Sequence, residues 1–104
     1  MTPSKFRRLA LDLEGASEQE HMGHPDFRVA GKIFATLGYP NENWGMVKLT
    51  LEQQRSFVEK VPETFRPCKG VWGERGATNV RLEDANVTVV RVALEAAWRN
   101  VVHP

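Results

Sequence analysis

Apolar residues recur at helical steps towards both ends of the chain and alternate along short runs between them. Phe6, Leu9, Ala10 and Leu13 follow three- and four-residue steps behind Thr2 and Pro3, a pair suited to an N-cap and a first helical position. Gly15 then offers the left-handed residue that commonly ends a helix. The capping-box pattern Thr50-Leu51-Glu52-Gln53 opens a second helix with a stripe of Leu51, Phe57, Val58 and Val61, and Pro62 bars its continuation. Val87, Val90, Leu94, Ala97, Trp98 and Val101 keep helical spacing behind the N-cap candidates Glu83, Asp84 and Asn86, which predicts a last helix from Val87 to Val102. Its β-branched opening, Val87-Thr88-Val89-Val90, locally favours a strand; the length of the periodicity decides for the helix.

Between the helices the period falls to two. Ala16 to Met22, with Glu18, Glu20 and His21, reads as a charged edge strand, and Gly23-His24-Pro25-Asp26 as a turn. Phe27 to Leu37 reads as a β-hairpin turning at Ala30-Gly31, with Val29 facing Lys32, Arg28 facing Ile33 and Phe27 facing Phe34. One surface then carries Phe27, Val29 and Phe34, the other Arg28, Ile33, Ala35 and Leu37. A continuous strand is the competing arrangement, and it would group Phe27, Val29, Ile33, Ala35 and Leu37 on one face. Gly38 to Asn43 is a turn leading to a strand over Trp44 to Leu49. Phe65 to Gly76 is too rich in glycine for a regular element and is expected to be a loop pinned by Trp72. Ala77 to Leu82 completes the sheet, with Thr78, Val80 and Leu82 on one face and Asn79 and Arg81 on the other. The expected fold is one α/β domain over residues 1–104, of order α-β-β-β-β-α-β-α, an antiparallel sheet backed by helices.

Charge changes this picture little at the level of the whole chain. Fourteen basic and thirteen acidic residues leave +1, so any attraction to a polyanion must come from a local patch. Lys5, Arg7 and Arg8 read as a solvated helix face. One cysteine, Cys68, excludes an internal disulfide and suits a reducing compartment; with no membrane-length apolar run and no signal-peptide pattern, a cytoplasmic protein with no membrane partner is expected. A monomer is expected.

Candidate chemistry is sparse. His21 and His24 have a spacing that can suit metal ligands, but Pro25 and the surrounding turn offer no helical face and no further ligand joins them, so no metal is expected. Cys68 has no base beside it in sequence and reads as a packing thiol. Glu18 and Glu20 are explained by an exposed edge, and Gly70 to Gly76 lacks the ending of a phosphate loop. No enzyme and no cofactor are expected.

Gly23-His24-Pro25, Phe27-Arg28-Val29-Ala30-Gly31-Lys32-Ile33-Phe34-Ala35, Lys48-Leu49, Gly70-Val71-Trp72-Gly73 and Ala93-Leu94-Glu95-Ala96-Ala97-Trp98-Arg99 together resemble the MmcQ/YjbR family of small bacterial proteins, over almost the whole chain. Many relatives carry an aromatic residue where this chain has Ala77. The resemblance implies a two-layer α/β fold related to cyaY-like and double-wing arrangements, and a DNA-binding role inferred from fold likeness.

The residues that would serve such a role are Arg28 and Lys32 on the hairpin, Lys48 on the next strand, Arg66, Lys69, Trp72 and Arg75 around the tryptophan loop, and Arg81 on the last strand. Ordinary rim charges neutralised by the acidic residues are the competing reading. DNA is the expected partner; the alternative is a protein-interaction module that docks another protein through the sheet face or the Trp72 loop.

Overall fold

The computed structural model describes residues 1–104. Helix α1 (Pro3–Leu11) is followed by strands β1 (Ser17–His21), β2 (His24–Val29), β3 (Lys32–Leu37) and β4 (Trp44–Lys48). Helix α2 (Leu51–Lys60), strand β5 (Phe65–Pro67), the short helix α3 (Gly70–Glu74), strand β6 (Ala77–Arg81) and helix α4 (Val87–Val102) complete the chain. The strands form one antiparallel sheet of order β1-β2-β3-β4-β6-β5, with β6 inserted between β4 and the edge strand β5.

Local chemistry sets the helix boundaries. The Thr2 hydroxyl accepts from the Lys5 N–H at 3.1 Å, and α1 stops at Asp12, three residues before Gly15. Thr50 and Gln53 form the full capping box of α2, with reciprocal bonds of 2.9 and 3.1 Å. Asn86 is the N-cap of α4, accepting from the Val89 N–H. The β-branched opening of α4 is helical because Val90, Ala93, Leu94 and Ala97 are driven into the core, and that burial outweighs the modest rotamer cost.

The hairpin is present, with Ala30 at φ 51° and Gly31 at φ 77° making the two-residue turn. Val29 pairs Lys32 and Arg28 pairs Ile33 as expected, but Phe27 pairs Ala35. A β-bulge leaves Phe34 without an opposite residue, so the expected Phe27–Phe34 pair does not form and the face assignments shift with it. Phe34 and Ala35, adjacent in sequence, are both fully buried with Phe27, Val29 and Leu37. The opposite surface of the hairpin carries Asp26, Arg28, Ile33 and Thr36.

Three further expectations are corrected. His24, Pro25 and Asp26 are strand, not turn: the reversal occurs at Met22 (φ 53°) and Gly23 (φ 82°), and Pro25 pairs Glu20. The Phe65–Gly76 loop holds the three-residue β5, whose Phe65 is buried and packs on Phe57 at 4.9 Å between ring centroids, and the single turn α3. On α2 the buried residue is Gln54, while Leu51 is exposed.

Helices α1, α2 and α4 cover one face of the sheet, with Phe6, Phe27, Phe34, Phe65, Val47 and Leu94 at the centre of the core between them. Trp98 packs on the margin of this core and donates its indole N–H to the Glu14 carbonyl at 2.8 Å. The opposite face carries no helix across its centre.

Candidate nucleic-acid interface

Strand register sorts the side chains of that uncovered face. Gln19 pairs Asp26, Asp26 pairs Thr36, Thr36 pairs Met46, Met46 pairs Asn79 and Asn79 pairs Arg66, so one transverse row crosses all six strands. Alternation adds Arg28, Trp44, Lys48 and Arg81 to the same surface. Glu18 pairs Phe27 and Glu20 pairs Pro25, which turns both carboxylates to the helix side, where Glu18 accepts from Arg7 at 2.9 Å. The edge strand thus keeps its acids off the uncovered face.

That face is concave, with a hollow of about 740 Å³. Ile33, Thr36, Met46 and Asn79 contribute to its lining. Two aromatic rings stand at its rim: Trp72 beside Lys48, and Tyr39 beyond the Leu37–Gly45 pair, each 65% exposed. His24 meets Tyr39 edge-on at 6.0 Å.

The Trp72 rim is rigidly tied down. Gln54, buried on α2, donates its amide N–H groups to the Gly73 and Ala77 carbonyls, both at 3.0 Å. A Cβ at Gly73 would lie 1.7 Å from the Cys68 carbonyl oxygen, and one at Gly76, which has φ +111°, would lie 1.9 Å from that of Leu49. Only glycine permits these approaches, so the glycines that looked like loop punctuation are packing residues. Cys68 donates its thiol to Asn79 Oδ1 at 3.1 Å, and burial pushes its pKa up to about 11, which leaves the thiol protonated at neutral pH.

The candidate residues divide. Lys48 Nζ lies 5.4 Å from the Trp72 ring centroid, and Lys69, the residue before α3, lines the same hollow. The Arg66 guanidinium lies 5.4 Å from the Trp44 ring at the other end of β4, and Arg81, paired with Trp44 across the ladder, reaches the exposed Glu83 at 3.5 Å. Arg28 is on the face but engaged: it grips the buried Asp26 with two bonds of 2.9 and 3.1 Å. That hydrogen bonding raises the Arg28 guanidinium above its ordinary pKa against a smaller opposing desolvation. Lys32 pairs Val29, a core residue, and therefore belongs to the helix side. Arg75 caps the end of α3 and does not line the hollow.

Tyr39, Met46 and Asn79 also line the hollow and were not among the binding residues expected from sequence, and His24, considered there only as a metal ligand, lines it too. For Met46 and Asn79 the alternation of their strands was a usable signal; for Tyr39, in a turn, there was none. No group of three or more His, Cys, Asp or Glu is arranged to hold a metal, and no helix is long and apolar enough to cross a membrane.

A two-layer α/β domain with a single six-stranded antiparallel sheet is the class this architecture defines. The YjbR family model matches residues 11–100, and the chain belongs to that family. Among solved structures it is similar to Deinococcus radiodurans protein DR2400, which carries a DUF419 domain, with TM-score 0.82 and 14% identity over 98% of this chain and 79% of that one. At that identity the likeness concerns the fold. Comparison with curated proteins finds no match.

Proposed function

We propose that this chain binds DNA weakly through the uncovered face of its sheet, chiefly by contacts to the phosphate backbone. The observation that carries the reading is the segregation of charge by strand alternation. A chain of net charge +1 groups Lys48, Arg66, Lys69 and Arg81 on or beside one concave surface, while Glu18 and Glu20 of the adjoining edge face away. The only carboxylate within the transverse row, Asp26, is buried and neutralised by Arg28.

Contacts of this kind are salt-dependent. With Lys48, Arg66 and Lys69 engaged, Arg81 being held by Glu83, the affinity should fall with a log–log salt slope of about −2 to −3. The test is an anisotropy titration of fluorescent DNA at low salt. Lys48→Glu combined with Lys69→Glu should abolish binding and leave the circular dichroism spectrum unchanged, whereas Lys32→Glu, on the other side of the sheet, should bind as the parent does. A parent protein that shows no binding at low salt sinks the proposal.

A protein partner is the competing function, favoured by Met22, Tyr39 and Trp72, which are 85%, 65% and 65% exposed around the same hollow. Binding that strengthens with added salt would favour it.

A further inference from the structure

We infer that the DNA this face accepts is single-stranded, with unpaired bases stacking on Trp72 and Tyr39 above the Ile33–Met46 floor; the inference rests on the DNA-binding reading and specifies its form. The first support is the availability of the rings. Both are largely exposed at the rim of a concave surface, and a base inside a duplex has both faces covered by its neighbours, so only an unpaired base can stack there.

The second support is where the cations stand relative to the rings. Lys48 lies against Trp72 at one end of β4 and Arg66 against Trp44 at the other. Trp44 and Lys48 are four residues apart on that strand, a span of roughly 13 Å at about 3.3 Å per residue. Positive charge therefore accompanies aromatic surface at both ends of β4, within the hollow at the Lys48–Trp72 end and beside it at the Arg66–Trp44 end, as a backbone running along β4 requires.

The third support is that the hairpin is built into the sheet at its base. Strand β2 is paired on its far side with β1 as far as Arg28, and β3 with β4 over Ala35–Leu37, so the hairpin closed at Ala30-Gly31 is not a free-standing two-stranded wing. Its lysine, Lys32, is turned from the face that carries the other cations.

Fluorescent oligothymidylate, its duplex with oligoadenylate, and oligouridylate of the same length should be titrated with the full chain at low salt. Oligothymidylate is expected to bind at least about tenfold more tightly than the duplex and to quench tryptophan fluorescence. Trp72→Ala should weaken that binding about tenfold, with Trp72→Phe restoring most of it and neither change altering the thermal melt. Equal or tighter binding of the duplex overturns the inference and leaves the DNA reading in place. Equal or tighter binding of the ribonucleotide overturns the choice of DNA, and failure of every oligonucleotide to bind overturns both readings.

Discussion

The two rims of the hollow are built differently. The Trp72 rim is locked from beneath: Gln54 bonds two of its carbonyls, and Gly73 and Gly76 bring backbone against backbone at distances no side chain would allow. The opposite rim consists of the Met22–Gly23 reversal, the wholly exposed β1 and the Tyr39 turn, held by ladder hydrogen bonds and an edge contact between His24 and Tyr39. A binding surface with one fixed and one yielding side can hold a stacking ring in place while adapting to the length and path of what lies across it.

The glycines offer the sharpest way to break the contrast. Gly76→Ala sets a methyl group into the Leu49 carbonyl at a left-handed φ, and we expect a loss of at least about 3 kcal/mol in denaturant-monitored stability. Gly23→Ala, with φ +82° and nothing within 4 Å of the added Cβ, should lose only about 1 kcal/mol from backbone strain. Equal losses would show that the two rims are equally constrained. Between these lies a chemical measure of the fixed side: with its pKa raised from 9.0 to about 11, Cys68 should alkylate at pH 8 about a hundredfold more slowly than an ordinary thiol of pKa 9. Because the folded state favours the protonated thiol, its contribution to stability is complete below pH 9 and is lost as the pH rises through about 11. Alkylation at the free-thiol rate would mean that this rim opens readily.

What could be read from the residues alone follows the same division. Caps and long periodicity are local signals, and Thr2, Thr50, Asn86 and the Val87–Val102 helix were legible for that reason. The Ala30-Gly31 turn was legible because two apolar runs flank a glycine. The bulge at Phe34 was not, since nothing local distinguishes an extra residue in a strand from a regular one; the demand for both Phe34 and Ala35 in the core creates it. Met22 hid its turn because methionine is rarely found at positive φ, while His24-Pro25-Asp26 carried the composition of one. At the site, membership of the tryptophan loop was visible but the side of the sheet was not. A one-residue change in register reverses every side chain: the turn fixes Lys32 on the Val29 side, and the bulge beyond it brings Thr36 onto the same face as Ile33. The Asp26–Arg28 pair was readable by alternation, two residues apart on one strand, once Asp26 is taken out of the turn.

Both margins of the sheet are also poor templates for a further chain. At one side β1 offers five exposed residues with Glu18 and Glu20 among them, and at the other β5 is three residues long and ends at Pro67, which has no N–H to donate. Edgewise accretion of one copy onto another is thereby discouraged, and concentrated solutions of this protein should resist fibril growth without relying on a large net charge.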